Sequence, residues 1–233
     1  MIRCGGFQVA KSQQQIWDEI AAYANEAGIK TRYKGKSWFM RLLGFILFFN
    51  PKFMTKYITT IHRTVYWPGS NPEDVDKTQW ITMAHECVHA HDSKRLSFPV
   101  FGFLIYLFPQ SLAMMVLILL PLWVALAVVI SAQWWWMLAV MVLIAPIPSP
   151  GRCWAEMRGY SMTMACYYWH TGKPYNVDFI VKQFTTGAYY WMWPFENSVR
   201  KRLAEWQEKI ENDEYEKEIS IAGAIRKIVQ ESE

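Results

Sequence analysis

From Leu96 to Gly151 the chain contains no Asp, Glu, Lys or Arg. About a quarter of the residues in an ordinary soluble domain are charged, so a block of this length without any is expected to enter a bilayer. At 1.5 Å of rise per residue it is too short for three helical crossings of a core about 30 Å thick, but long enough for two. The expectation is therefore a transmembrane hairpin over residues 96–150. Two features compete for its turn. Pro121 divides the block into near-equal halves, whereas Ser131-Ala132-Gln133 followed by Trp134, Trp135 and Trp136 has the composition of an interfacial turn and is preferred. Lys94 and Arg95 precede the block and Arg152 and Arg158 follow it, which places both of its ends, and with them both termini, on the cytosolic side.

The rest of the composition agrees with a membrane setting. Thirteen Trp, 12 Tyr and 13 Phe bring the aromatic fraction to 16%, and amphipathic rings of this kind settle at lipid–water interfaces. A net charge of +4 is spread through the polar segments without an Arg- or Lys-rich stripe, so nucleic acid is not an expected partner. The four cysteines, Cys4, Cys87, Cys153 and Cys166, have no regular spacing, and the first fifteen residues lack the apolar core of a signal peptide. They read as reduced thiols on the cytosolic side.

Around the block the pattern is mainly helical. Apolar positions recur at helical spacing over residues 11–28, with Gly28 as a stop, and residues 38–49 form a short, strongly apolar segment carrying Arg41 that suits an interfacial helix in preference to the alternative, a core helix. Residues 56–67, KYITTIHRTVYW, are β-branched and aromatic with partial alternation and predict a strand closed by Pro68-Gly69-Ser70-Asn71. A helix is expected to start near Asn71 and run to about Ser93, and another to open at Ser149-Pro150-Gly151 and run to about His170, stopped by Gly172 and Pro174. Residues 184–195, with Tyr189-Tyr190-Trp191-Met192-Trp193, fit lipid anchoring and core packing about equally well. Residues 196–233 read as a charged, solvated helical tail with Val199, Leu203, Trp206 and Ile210 on one face and Ile219, Ile221, Ile225 and Ile228 further on.

The first of the two helices flanking the block carries His85-Glu86-Cys87-Val88-His89. Four residues apart on a helix, His85 and His89 project from one face and can share a metal ion, while Glu86 lies at the edge of the site. This is the arrangement of a hydrolytic zinc site, in which the metal activates water and the glutamate acts as general base. A catalytic zinc normally has three protein ligands and one open position, so one ligand is missing. His91 is two residues beyond His89 and points elsewhere. Glu156 is the preferred third ligand, because a two-span hairpin returns it to the side of His85 and His89, and Gly159 beside it lets two helices approach closely. Asp178 and Glu196 are weaker alternatives. Asp92 shares the histidine face and could hydrogen-bond a ligand imidazole, and Tyr160, one turn after Glu156, could stabilise an oxyanion or simply pack. Cys87 faces away from the metal, and His62 and His170 read as structural.

On these motifs the chain resembles the gluzincins, zinc peptidases with HExxH on one helix and a glutamate ligand on a later one. More narrowly it is similar to their membrane-embedded branch, the CAAX prenyl proteases and heat-shock membrane proteases, in which hydrophobic spans separate the two helices. The resemblance implies His85, His89 and Glu156 as zinc ligands, Glu86 as general base, and a strand near residues 59–67 that holds an extended substrate by edge pairing. It departs where that branch shows Glu-x-x-x-Asp, because Tyr160 follows Glu156-Met157-Arg158-Gly159.

The expected fold is mainly α with a small β element, its zincin-like catalytic helices interrupted by the transmembrane hairpin. Residues 1–95 hold the strand and the HExxH helix, 96–150 the hairpin, 151–195 the second catalytic helix and aromatic segment, and 196–233 the tail. The expected function is hydrolysis of protein or peptide substrates at the cytosolic face of a membrane by a zinc-dependent endopeptidase. Two competing readings are a non-enzymatic membrane protein, such as a scaffold or a lysis factor, and a structural zinc closed by Cys153.

Overall fold

The computed structural model describes residues 11–46, 52–95, 120–129, 148–187 and 191–231. Among them the chain is mainly helical with one small sheet. In chain order the elements are α1 (Gln13–Glu26), β1 (Lys30–Tyr33), α2 (Trp38–Ile46), β2 (Thr59–Ile61), β3 (Thr64–Trp67), α3 (Trp80–Arg95), α4 (Leu120–Val129), α5 (Pro150–Thr171), α6 (Asp178–Thr185), α7 (Glu196–Glu211), α8 (Tyr215–Glu218) and α9 (Ala222–Gln230). The chain divides into two compact units, residues 1–95, 158–175 and 207–233 in one and residues 96–157 and 176–206 in the other. The division falls inside α5 and again inside α7.

In the first unit α1 opens with a capping box, Ser12 accepting from Gln15 N while the Gln15 side chain accepts from Ser12 N. Its buried stripe, Ile16, Trp17, Ile20 and Ala24, faces the core, and Trp17 packs edge-to-face on Trp67 at 4.9 Å. Gly28 ends it at φ +74°, a conformation open to glycine. The sheet has the order β1-β3-β2, with β1 parallel and β2 antiparallel to the central β3. Instead of one strand over residues 56–67, two short strands meet at the turn His62-Arg63, with His62 at φ 52°. The turn has none of the Gly, Asn or Asp that would announce it, and β-branched residues on both sides hide the break. Ser93 of α3 donates to His62 O at 2.5 Å and pins this turn, so His62 belongs to the hairpin turn and not to a strand. Strand β1, whose Lys-Thr-Arg-Tyr sequence carries little β signal, is found only in the structure.

The helix expected from Asn71 begins instead at Trp80. Asn71 and Asp74 form a capping box on a 3-10 turn, Pro72–Asp74, and Asp76 caps a second one, Lys77–Gln79. Side-chain acceptors at these positions draw the backbone into short turns before the helix can propagate. Along α3 the apolar Trp80, Met83, Ala84, Cys87 and Val88 form one buried stripe, and His85 and Asp92 are buried on an adjoining face. The residues expected to form a solvated tail close this unit: Ile210, Tyr215, Ile219, Ile221, Ala222 and Ile225 are all buried, and α9 packs on α1. Burying these side chains removes large apolar surfaces from water, which outweighs the charged appearance of the segment.

In the second unit Ile180, Val181, Phe184, Met192, Val199 and Leu203 make the core, and backbone bonds from Ser149 N to Met192 O and from Trp193 N to Phe184 O tie its segments together. Within the aromatic segment Phe184 and Met192 are packed, while Trp191 and Phe195 are exposed; Tyr189 and Tyr190 lie outside the described residues. Of the expected hairpin only α4 is described. The preferred turn at Ser131-Ala132-Gln133 lies outside the described residues, as does most of the block. Among the described residues no helix is long and apolar enough to cross a membrane. Leu122, Val124 and Val128 of α4 are exposed.

Candidate metal centre

Helix α3 presents His85 and His89 one turn apart, with their rings edge-to-face at 4.8 Å and their Nε2 atoms 3.0 Å from each other. Glu156, buried on α5, completes the group: one ligand atom from each of His85, His89 and Glu156 lies within 4.8 Å of the others. Two nitrogens at about 2.0–2.1 Å from a tetrahedral metal ion would stand about 3.3 Å apart. The imidazoles are thus within a few tenths of an ångström of that spacing, and the carboxylate has a short distance to close. A donor set of two imidazoles and one carboxylate can hold a metal ion. Among the described residues no other cluster of His, Cys, Asp and Glu does so.

What brings the two helices together is visible in the side chains between them. Gly159, one turn beyond Glu156, lies directly against His85: a Cβ there would come within 2.5 Å of His85 Nε2 and 2.7 Å of Cε1. No larger residue leaves the ring its place. Asp92 and Arg158 clamp the same pair of helices by a bidentate ion pair, Nε to Oδ2 at 2.5 Å and Nη2 to Oδ1 at 2.9 Å, with both side chains largely buried. Asp92 is therefore neither a surface acid nor a ligand partner in this arrangement; it is the anchor for Arg158.

His85 Nδ1 is 3.2 Å from Thr163 Oγ1, whose hydroxyl is in turn 3.5 Å from the Gly159 carbonyl of its own helix. With that hydroxyl donating to the carbonyl, its oxygen accepts from Nδ1–H, and the lone pair of His85 is left on Nε2, the atom facing His89 and Glu156. Glu156, Gly159, Tyr160 and Thr163 are three, four and seven residues apart and form one face of α5. Thr163 was legible from that spacing but was not picked out. Tyr160 is buried with its ring edge-to-face on His85 at 4.9 Å.

Glu86 is half-buried at the edge of the group and is not one of the converging ligands. Its Oε2 accepts from Thr60 Oγ1 of β2 at 2.5 Å, so the outer strand of the sheet fixes the carboxylate. No sequence signal marked Thr60, one of many β-branched residues in its segment. Nearby, Lys34 is fully buried; its Nζ donates to Phe53 O at 2.7 Å and sits 3.9 Å above the Phe53 ring. Burial pulls its pKa down to about 8, and the charge of Glu86 opposes that shift.

The remaining candidates are placed elsewhere. His91 meets Ser220, His170 packs against Trp80, and Asp178 and Glu196 both pair with Arg200. Cys153 Sγ accepts from Arg202 at 3.8 Å and is not one of the three grouped side chains. Cys87 is buried away from the group, and burial pushes its thiol up to about 12. Comparison of the chain with protein-family models, with curated proteins and with solved structures gives no match.

Proposed function

We propose that the chain is a membrane-integrated, zinc-dependent endopeptidase. The observation that carries this reading is the convergence of His85, His89 and Glu156 with a glutamate, Glu86, held beside them and outside the ligand set. The donor set of two histidines and one carboxylate fits zinc, which when bound supplies Lewis acidity, lowering the pKa of water and polarising a carbonyl. His85 and His89 would hold the ion, and Glu156 would supply compensating negative charge. Glu86 takes the proton of the attacking water and delivers it to the leaving amine. Thr60, by donating to Oε2, orients that carboxylate. Strand β2, at the outside of the sheet, is the edge on which an extended substrate would pair, and its Thr60 is bonded to Glu86. The charge-free residues 96–151 and the exposed apolar side chains of α4 support membrane integration, with the basic flanks and the site on the cytosolic side.

The deciding experiment is metal analysis coupled to a proteolysis assay. Purified protein should carry about one zinc per chain, and Glu86→Gln should keep the zinc while losing hydrolysis. A wild-type protein that binds no zinc overturns the proposal.

A further inference from the structure

Helix α2 is apolar on both sides. Inward, Met40 is fully buried in a cluster with Phe53 and Tyr66, and Leu43 packs against them. Outward, Trp38 is 70% exposed and Phe45 78%, with Phe39 and Leu42 also exposed, and Tyr57 joins them after the turn at residues 52–56. A water-facing helix surface normally carries charged and polar side chains. Here the exposed face is aromatic and aliphatic, with Arg41 its single charge.

The surrounding charge has one sign. From residue 27 to residue 72 the sequence has no Asp or Glu, and Lys36, Arg41, Lys52 and Lys56 are all exposed. At nine residues α2 is about 14 Å long, far short of the roughly 30 Å core of a bilayer, so it can lie in a membrane surface but not cross it. Bulky rings beside lysines and arginines are the composition of an element that sinks into the headgroup layer of an anionic leaflet. A second copy of the chain is a poor occupant, because a two-fold contact would press the same cations together with no acid between them.

We infer that the outer face of α2, with Tyr57 and the flanking cations, is a docking surface for an anionic lipid bilayer. It depends neither on the metal site nor on whether residues 96–151 cross the membrane. It seats the unit that carries α2 on the lipid by a contact of its own.

The test places a nitroxide on the full chain at Phe45→Cys in a Cys4→Ser background and reads its accessibility to oxygen and to a water-soluble nickel chelate. The protein is presented in nanodiscs of phosphatidylcholine with or without phosphatidylserine, and a label at Gln14→Cys serves as an aqueous control. The expected result is burial of the Phe45 label at headgroup depth in the anionic discs, with the Gln14 label remaining in water. Reversing Arg41, Lys52 and Lys56 to Glu should lower the docked-to-undocked ratio by roughly a hundredfold or more. Unchanged circular dichroism of each variant shows that the fold is kept. A label exposed to the chelate in both kinds of disc overturns the inference. So does equal depth in the two, which removes the role of charge, or shielding from both reagents, which indicates a protein contact.

Discussion

Gly159→Ala is expected to uncouple metal binding from folding. The added Cβ would lie 2.5 Å from His85 Nε2, 2.7 Å from Cε1 and 2.8 Å from Cδ2. Non-bonded carbon contacts settle near 3.5–4.0 Å, so the imidazole must retreat by about 1 Å or α3 and α5 must part by that much. A zinc site tolerates about 0.2 Å in its ligand distances. The displacement exceeds that several-fold and removes His85 as a ligand, so zinc affinity should fall by at least about a hundredfold, the upper end of what second-shell changes cost. Stability should change much less. Overpacking costs about 1–3 kcal/mol, and replacing a helical glycine by alanine returns up to about 1 kcal/mol. The assay is zinc titration against a chromophoric chelator, run beside thermal unfolding of the metal-free protein. Gly172→Ala is the control. Gly172 has φ +68° and open space around it, so its alanine variant should lose about 1 kcal/mol through backbone strain and bind zinc normally. If Gly159→Ala bound zinc within threefold of wild type, the close approach of α5 to His85 would not be what builds the site.

Thr60→Val removes the hydroxyl bonded to Glu86 Oε2 and should lower kcat by about tenfold with zinc content unchanged; zinc lost along with activity would show that Thr60 acts on the fold and not on Glu86. Arg158→Met strands the buried Asp92 carboxylate and should cost about 3–5 kcal/mol in urea unfolding, partly recovered by adding Asp92→Leu; an unrecovered loss would refute the clamp. Lys34 gives a pH signature. Its folded pKa of about 8 lies below the ordinary 10.5, so below pH 8 both states hold the proton and the burial cost is constant, whereas between pH 8 and 10.5 only the unfolded state keeps it. Stability should therefore rise across that window, by at most about 3 kcal/mol, and Lys34→Met should abolish the rise; identical profiles for the two proteins would exclude a buried charged lysine.

The helices were legible where periodicity and caps agreed. Over α1 and α5 apolar spacing, Gly28 and Gly172 gave boundaries close to the observed ones, and the HExxH spacing marked His85 and His89; Glu156, which the structure groups with them, was chosen on the parity of two crossings for which the described residues contain no spanning helix. Illegible features depended on partners far away in sequence. Strand β1 exists because β3 offers it a backbone ladder, not because Lys-Thr-Arg-Tyr prefers to extend. The break at His62-Arg63 is set by Ser93, thirty-one residues on. Asp92 read as a partner for a ligand imidazole because nothing local shows that Arg158 will reach it. The tail looked solvated because its charges are dense, although its isoleucines and Tyr215 fill a core built by segments that precede it.

That last arrangement sets the order in which the unit holding α1, α3 and α9 can be made. Lys11, just before α1, bonds to Ile228 O of α9 across 217 residues, and Tyr215 meets Ser161 in the interior. Ribosomes add roughly 5–20 residues per second, so α1 and the sheet wait for many seconds before α9 leaves the exit tunnel to cover them. Contacts of such long sequence separation also carry a large loop-closure entropy and form slowly. Nascent chains should therefore expose the inner faces of α1 and α3 until α9 has left the exit tunnel. Stalled chains ending before α8 should be open to added protease across residues 13–95, while chains extended beyond α9 become resistant.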